Sequence, residues 1–184
     1  ITFDPDVDPE TITPEDFKIT DKDGNPIEIT LTPSEDGLTW TGKVPPNVDG
    51  EVKVEVPPTD EAGNPTYTDE VGNPGTGGDK TVPVDTLPPK VNVEISEDRT
   101  SVTFIFNEAI QGFDASDIVV TGGTLKPDTL VDNGNGTWTA QLENTEKGNT
   151  VEVKVKDQSY TDLTNNAGAA GTDLCKWLRS KTCH

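Results

Sequence analysis

The side chains of this protein that could take part in chemistry are mainly carboxylates and amides. Asp and Glu number 34 against 14 Lys and Arg in 184 residues, so the formal net charge is −20. A surface this acidic repels nucleic acid and anionic membranes and attracts cations. Carboxylate and amide oxygens are the ligands that Ca²⁺ takes in sets of six to eight. We therefore expect Ca²⁺ as a bound cofactor; the alternative is that the charge serves only solubility.

One acidic, glycine-rich phrase occurs twice. The only two tyrosines, Tyr67 and Tyr160, each precede Thr-Asp. Residues 67–89 read YTDEVGNPGTGGDKTVPVDTLPP, whereas residues 160–173 read YTDLTNNAGAAGTD and stop short of the second half. The glycines do not open a predicted helix, as a phosphate-binding loop would require. We interpret the first copy as a loop, a last strand and a linker.

Neither a catalytic constellation nor an EF-hand is recognisable. The single histidine is the final residue, His184, and both cysteines, Cys175 and Cys183, lie close to it. No nucleophile-elbow, P-loop or dinucleotide motif is present, so we predict that the protein is not an enzyme. The stretch DKDGNP at 21–26 resembles the opening of a calcium loop, but the EF-hand's twelfth position, which needs Glu, is Thr32. A turn between two strands is the better interpretation.

Short anchors that recur in the same order indicate two copies of one unit. Each anchor alternates apolar and polar residues, as a strand with one buried face does. Strands separated by turns, in units of about 90 residues, predict an all-β fold with little helix: two tandem immunoglobulin-like Greek-key β-sandwiches. The aligned pairs are 1–3 with 102–104, 13–20 with 114–121, Trp40 with Trp138, and 51–56 with 151–155.

The same alternation predicts the individual strands. Short helical turns are expected at 13–16 and 114–117, where a capping residue precedes acidic residues. Strands of the first unit are expected at 1–4, 16–20, 27–32, 38–44, 51–56 and 80–84. Strands of the second unit are expected at 91–95, 101–106, 117–121, 124–130, 137–142 and 150–156.

The predicted domains are residues 1–86 and 87–173, followed by a basic tail at 174–184. The first domain lacks its first strand and the second lacks a normal last strand, so we interpret the chain as a piece cut from a longer array. The tail changes abruptly in composition, and we expect it to be non-native sequence; a Cys175–Cys183 bridge displaying a loop is the alternative. A missing strand exposes a sheet edge, which we expect another copy of the chain or the tail to cover.

Several stretches carry a family resemblance. VTFIFNEAIQGFDASDIVVTGGTL, the TWTA strand and VPVDTLPP resemble the bacterial Ig-like repeats of giant type I-secreted, RTX-type surface adhesins. The resemblance covers about residues 1–173, more closely in the second unit. It implies non-catalytic extender modules on the bacterial cell surface, outside the cell, with calcium at and near the module junctions.

The partners implied are neighbouring Ig-like modules of the same chain, with a host or surface receptor bound through other parts of the parent protein. No partner nucleic acid is expected. No membrane span is expected either, since no apolar run reaches about 18 residues. Two alternatives are a module that binds a receptor or glycan directly, and an accessory domain of a secreted enzyme.

Sandwich topology predicts where calcium would bind. The loops after the second and sixth strands lie at the end where the linker enters, so acidic residues there can converge. The alternative for each residue is an ordinary turn role, with local backbone hydrogen bonds. Candidate ligands of the second unit are Asp85 on the linker, Glu108, Asp114, Asp117, Asp157, Asp162, Asn165 and Asn166. Candidates of the first unit are Asp4, Asp16, Asp60, Asp69 and Asn73.

Overall fold

The computed structural model describes residues 1–146 and 148–176 and the backbone of Thr182–Cys183. The chain divides into two compact units, Ile1–Leu87 and Pro88–His184. Both consist of short antiparallel strands joined by turns, as the Val-, Thr-, Gly- and Pro-rich composition favours.

The first unit contains two small sheets. One has the strand order β1-β4-β5, and the other is the hairpin β2–β3. Residues 1–3 lie beside this hairpin through a single bridge between Thr2 and Thr39. The strands are β1 (Lys18–Thr20), β2 (Leu31–Pro33), β3 (Trp40–Gly42), β4 (Asp49–Val56) and β5 (Gly78–Asp85).

The second unit has longer sheets. One has the order β10-β12-β7-β6, with β11 beside β12, another has the order β16-β15-β13-β9, and a third, two-stranded sheet pairs β14 with β8. The strands are β6 (Val91–Ile95), β7 (Ser101–Phe106), β8 (Ile110–Gln111), β9 (Ile118–Thr121), β10 (Thr124–Leu125), β11 (Val131–Gly134), β12 (Thr137–Glu143), β13 (Val151–Val155), β14 (Thr161–Asp162), β15 (Gly171–Lys176) and β16 (Thr182–Cys183).

In immunoglobulin lettering, the second unit pairs strands D-E-B-A in one sheet and C-F-G in the other. Strand A is β6, B is β7, C is β9, D is β10, E is β12, F is β13 and G is β15. The first unit has C, F and G as β1, β4 and β5, while residues 1–3 lie where B lies. The predicted all-β sandwich fold is confirmed.

In the second unit, the strands expected at 117–121, 137–142 and 150–156 occur within one residue of the predicted bounds. In the first unit, the strands expected at 16–20, 27–32 and 38–44 are only three residues long, whereas those expected at 51–56 and 80–84 are longer than predicted. The strands expected at 91–95 and 101–106 have the predicted bounds. The strand expected at 124–130 is interrupted, because Pro127 cannot donate to a ladder and Asp128 has a φ of 57°. In the first unit, the strand expected at 1–4 is reduced to the bridge at Thr2. Both predicted helical turns occur as 3-10 turns, Pro14–Asp16 and Ala115–Asp117.

The predicted absence of a last strand in the second unit is wrong. Strand β15 pairs with the whole length of β13, from Val155 opposite Gly171 to Val151 opposite Cys175. Asp173 and Cys175 point inward and are buried, so Gly171–Lys176 has the alternation of a normal strand G. The first three residues of the predicted tail therefore belong to the sandwich. Cys175 is disulfide-bonded, and its backbone pairs opposite Cys183. Residues 177–181 and 184 of the tail lie outside the described residues.

Aromatic packing corrects the alignment of the two units. Phe3 packs against Tyr67, with ring centroids 5.2 Å apart, and Phe106 packs against Tyr160 at 5.1 Å. Phe3 therefore corresponds to Phe106, so Ile1 corresponds to Phe104. The predicted match of Ile1 to Val102 is wrong by two residues. A shift of two preserves the side-chain alternation of a strand, so the sequence pattern could not distinguish the two alignments.

Each tyrosine also packs against a glycine eight residues later. The amide of Gly75 donates to the carbonyl of Tyr67 at 2.9 Å, and that of Gly168 to the carbonyl of Tyr160 at 2.7 Å. A Cβ atom would lie 2.2 Å from the Tyr67 ring at Gly75 and 2.3 Å from the Tyr160 ring at Gly168. This close approach explains why the Tyr-Thr-Asp phrase ends in glycines.

We expect Gly75→Ala and Gly168→Ala each to lower the free energy of unfolding by about 1–3 kcal/mol, because the new methyl group displaces a packed ring. The matched control is Gly78→Ala, where a Cβ would meet no atom within 4 Å. Urea unfolding followed by circular dichroism measures the change. Equal stability of Gly75→Ala and Gly78→Ala would contradict the packing role.

Candidate functional site

An acidic five-residue loop occurs four times in the described structure. It begins at Asp21, Asp60, Asp69 and Asp162. In each case the Asp Oδ1 accepts from the amide of the Asn four residues later, at 2.7–2.8 Å. The side-chain amide of the same Asn donates to the Asp Oδ2, at 2.7–2.9 Å. The pair therefore closes each loop as a hairpin.

The backbone explains the residues around each pair. The residue before the Asp forms a bridge with the residue after the Asn in all four loops. The fourth loop residue has a positive φ, which favours Gly or Asn there: 83° at Gly24, 87° at Gly63, 87° at Gly72 and 68° at Asn165. The common pattern is T-D-x-x-[G/N]-N-[P/A]. The shared Asp–Asn spacing of four is a signal in the sequence itself that identifies these loops as one motif.

Three predicted metal ligands of the first unit lie in these loops. Asp60, Asp69 and Asn73 make the loop-closing hydrogen bonds, and Asn64 completes the second loop. These bonds hold the pKa of both carboxyl groups below their usual range. The turn predicted at 21–26 is the same loop, closed by Asp21. Hydrogen bonding by Asp and Asn thus supplies a structural reason for part of the acidic repeat.

Asp162 differs from the other three loop aspartates by its burial. Only 1% of it is exposed, and its Oδ1 also accepts from the amide and the hydroxyl of Thr164, at 2.8 and 2.9 Å. The Gln111 side chain donates to the Asp162 carbonyl at 3.0 Å. Burial raises the pKa of this carboxyl, but the hydrogen bonds from Asn166 and Thr164 outweigh burial and leave the pKa below its usual value.

A second carboxylate lies beside Asp162. One carboxylate oxygen of Glu108 and one of Asp162 are within 4.8 Å of each other. Glu108 follows strand B and Asp162 lies in the loop after strand F, so the structure brings together two candidates from the predicted loops. Burial, followed by the charges of Asp157 and Glu108, raises the pKa of Tyr160 to about 12. Negative charge therefore concentrates at this end of the second unit.

Two other candidates of the second unit cap a 3-10 turn. The Asp114 Oδ1 accepts from the Ser116 amide at 2.7 Å, and the Asp117 Oδ2 accepts from the Asp114 amide at 2.8 Å. The Lys156 ammonium donates to the Ser116 carbonyl at 2.6 Å and brings a positive charge to this turn. The bond with Ser116 and the charge of Lys156 lower the pKa of Asp114. The negative charges of Asp114 and Asp117 are therefore already compensated by hydrogen bonds within the turn and by Lys156.

The remaining candidates of the second unit accept hydrogen bonds from other segments of that unit. The Asp157 Oδ1 accepts from the Ala170 amide at 3.2 Å. The Asn165 Oδ1 accepts from the Gln111 side chain at 3.2 Å. Asn165 and Asn166 follow Asp162 within the same loop. The side-chain oxygens of these three residues are therefore carried by one short backbone segment.

The first unit arranges its other acidic candidates differently. The Asp16 Oδ2 accepts from the Thr13 amide at 2.7 Å, repeating the cap made by Asp117. The Asp4 carbonyl accepts from the Val7 amide. In the corrected alignment the position of Glu108 is Pro5, so the first unit has no equivalent of the Glu108–Asp162 pair. Asp85 ends β5, and its Oδ1 accepts from the Leu87 amide at 3.0 Å.

Comparison with known families agrees with this architecture. The family model described as bacterial Ig-like domain matches residues 79–177, more than half of the chain. The chain belongs to the bacterial Ig-like domain family. The matched part of this Ig-like chain starts in β5, continues through the linker and includes the described strands β6–β15. No curated protein matches the chain.

Membership relates this bacterial Ig-like chain to a family with known general properties. Domains of the family are structural or extender modules, generally non-catalytic, and typically extracellular or at the cell surface. Among the described residues, no helix has the length and apolarity needed to cross a lipid bilayer.

We expect Asp162→Ala to lower the free energy of unfolding of the second unit by about 3 kcal/mol, because it leaves buried donors without their acceptor. The control is Asp132→Ala in the same unit, which removes an exposed carboxylate bonded to the Gly134 amide. Hydrogen exchange of the β13 amides reports this unit selectively. Similar losses in the two variants would contradict the closing role of Asp162.

Acid should weaken the second unit through the same carboxylate. The folded-state pKa of Asp162 lies below its value in the unfolded chain, about 3.9. Its contribution to stability is therefore full above that unfolded pKa and is lost as the pH falls through the folded-state pKa. In EDTA, we expect the exchange-derived stability to fall less between pH 6 and pH 2 in Asp162→Asn than in the unmodified protein. Parallel profiles would contradict this assignment.

Proposed function

We propose that the chain is a pair of extender modules from a bacterial cell-surface adhesin, stiffened by Ca²⁺ at the end of the second unit that receives the linker. Receptor binding is assigned to other parts of the parent protein, and neighbouring modules are the direct partners. The observation that carries the calcium proposal is the closeness of the Glu108 and Asp162 carboxylates, within 4.8 Å.

A divalent cation suits this pair for a physical reason. Two carboxylates at this separation repel each other when both are ionised, and a bound cation replaces that repulsion with attraction. The hydrogen bonds to Asp162 fix its orientation and keep it ionised. Ca²⁺ tolerates irregular sets of carboxylate, amide and carbonyl oxygens, so a loop-built site favours it over Mg²⁺.

Additional ligands can come from the same loops and from the linker. We assign Asp157 and Asn165 of the second unit, together with Asp85, as further candidates. The carbonyl of Pro89 accepts from the Ala169 amide at 2.9 Å, so the loop after strand F holds this end of the linker. Asp85 is four residues earlier, a chain length of at most about 14 Å. Binding by Asp85 would couple the linker to the ion.

The other predicted ligands are assigned structural roles in this proposal. Asp114, Asp117 and Asp16 cap 3-10 turns, while Asn166 helps to close the Asp162 loop. In the first unit, Asp60, Asp69 and Asn73 close loops, and Asp4 belongs to the segment that follows strand B.

We expect Ca²⁺ to raise the unfolding temperature of the second unit, and to narrow the distribution of dimensions in small-angle X-ray scattering because the linker stiffens. Glu108→Gln should remove most of the thermal shift, since it neutralises one of the paired carboxylates. The control is Glu94→Gln, an exposed glutamate of β6 in the same unit. NaCl at equal ionic strength separates site binding from general screening.

Two results would count against the proposal. If chelation leaves both the unfolding temperature and the scattering profile unchanged, the calcium role is wrong. If Ca²⁺ binds and raises the unfolding temperature but the scattering profile is unchanged, the ion stabilises one module without stiffening the linker. Asp85→Asn tests the linker ligand separately: it should weaken the scattering response more than the thermal response.

A further inference from the structure

Pro89 and Lys90 form the entry segment of the second unit, directly before strand β6. The Pro89 side chain is fully buried, whereas Lys90 is exposed. Burial therefore fixes the segment at Pro89, while at Lys90 the course of the backbone is left to hydrogen bonds.

A side chain takes the place of the backbone in the ladder at Lys90. Val91 lies opposite Phe106, so Lys90 lies opposite Asn107 at the next ladder position. The Asn107 amide donates to the Lys90 carbonyl at 3.1 Å, as in a regular antiparallel pair. In the reciprocal bond, the Lys90 amide donates at 2.5 Å to the side-chain Oδ1 of Asn107, where a regular pair uses the backbone carbonyl. Pairing at the entry segment thus depends on the position of one side chain.

The other end of this side chain holds Glu108. The Asn107 Nδ2 donates to the Glu108 Oε1 at 3.1 Å. A backbone amide only donates and an ionised carboxylate only accepts, so the two partners fix which end of the Asn107 amide faces each of them. The charge of the carboxylate also polarises the Asn107 amide, which makes its oxygen a stronger acceptor. The Glu108 carboxylate and the Lys90 backbone are therefore joined by two consecutive hydrogen bonds through Asn107.

The loop that contains Asp162 holds the neighbouring residue, Pro89. The Ala169 amide donates to the Pro89 carbonyl at 2.9 Å, and the Tyr160 hydroxyl donates to the same carbonyl at 3.2 Å. Tyr160 precedes Asp162 by two residues. The carboxylates of Glu108 and Asp162, which lie within 4.8 Å of each other, thus belong to the two loops that hold consecutive residues of the entry segment.

Strand β6 contains a second Asn–Glu pair that serves as a comparison. The Asn92 Nδ2 donates to the Glu94 Oε1 at 2.9 Å, and both residues are exposed. Asn92 lies inside the strand, where its backbone pairs opposite Ile105. The Asn92–Glu94 pair therefore has the same chemistry as the Asn107–Glu108 pair without a place at the entry segment.

We propose that Asn107 is a positioning residue that transmits the state of the Glu108 carboxylate to the entry segment of the second unit. When Glu108 is held in one orientation, Asn107 holds the Lys90 amide and the chain enters the unit in one direction. When Glu108 is displaced, the pairing at Lys90 opens while the rest of β6 stays paired.

The extension of this inference to calcium rests on the proposed function. The carboxylates of Glu108 and Asp162 repel each other when both are ionised, and a cation that binds Glu108 fixes its orientation. A carboxylate has enough lone pairs to bind the cation and still accept from Asn107. Ca²⁺ therefore strengthens the bond at Lys90. The link between Glu108 and Lys90 itself needs no ion, so it is tested in EDTA.

The test is a double-mutant cycle on the full chain in EDTA, with the hydrogen-exchange protection and proton chemical shift of the Lys90 amide measured by NMR. We expect Asn107→Ala to lower this protection about fivefold, because one hydrogen bond is lost. Glu108→Met keeps the side-chain length but cannot accept. It should lower the protection roughly two- to threefold in the unmodified protein and leave it unchanged in Asn107→Ala. The matched control, Glu94→Met, should have no effect on Lys90.

Asn107→Asp separates the two bonds of Asn107. It keeps an acceptor for the Lys90 amide and removes the donor that faces Glu108. In this variant, Glu108→Met should no longer lower the protection of Lys90. The β13 amides should keep their protection in every variant, because the change is confined to the entry segment. A general loss of β13 protection in Asn107→Asp would contradict the positioning role.

A second measurement adds excess Ca²⁺. Protection of the Lys90 amide should rise in the unmodified protein and in Glu94→Met, but not in Asn107→Ala. If Glu108→Met has no effect in EDTA, or the same effect with and without Asn107, the transmitting role is overturned whether or not Ca²⁺ binds. If the cycle in EDTA behaves as expected and Ca²⁺ does not bind, the transmitting role stands and the proposed calcium role is wrong.

Discussion

The structure depends on burial of one valine stripe in the central strand F of each sandwich. In the second unit Val151, Val153 and Val155 are completely buried between the two sheets. Phe104 packs over this core from strand B, while strand A covers it from the edge. Removal of apolar surface from water is the main favourable contribution to folding, so each neighbouring element is constrained by its fit to this stripe.

The acidic loops lie at the ends of strands and do not contribute apolar side chains to that core. An Asp–Asn pair closes each hairpin with its own hydrogen bonds, so the turn does not need apolar contacts of its own. Turns that are closed by hydrogen bonds in this way suit a chain in which only 30% of the residues are hydrophobic. This closure also means that the four loop-closing aspartates have a structural explanation, so fewer of the acidic side chains need to be assigned to an ion. Asp162 is buried and Glu108 lies close to it, so this end of the second unit is the best candidate for an ion site.

Prediction from the sequence succeeded where periodicity and composition suffice. The bounds of β6 and β7 followed from alternation, and the 3-10 turns followed from their caps. Three features were not predicted, each for a different reason. The two-residue misalignment of Ile1 preserved every alternation. The last strand β15 was missed because its inward positions are Gly171, Asp173 and Cys175, which do not look like a core stripe. The closing role of Asp60 was indistinguishable from metal binding, since both use a carboxylate in a turn.

The sequence by itself determined the fold class, the repeat and the acidic character, because these depend on residue types and short-range spacing. Only the tertiary structure decided that Asp162 is buried and that Glu108 lies beside it. It also showed that the repeated Tyr-Thr-Asp phrase ends in glycines because a tyrosine ring packs on them. These properties depend on side chains that are far apart in the chain or on the space left between them. Burial and contact of that kind are set by the packing of the sheets, which a local pattern does not contain.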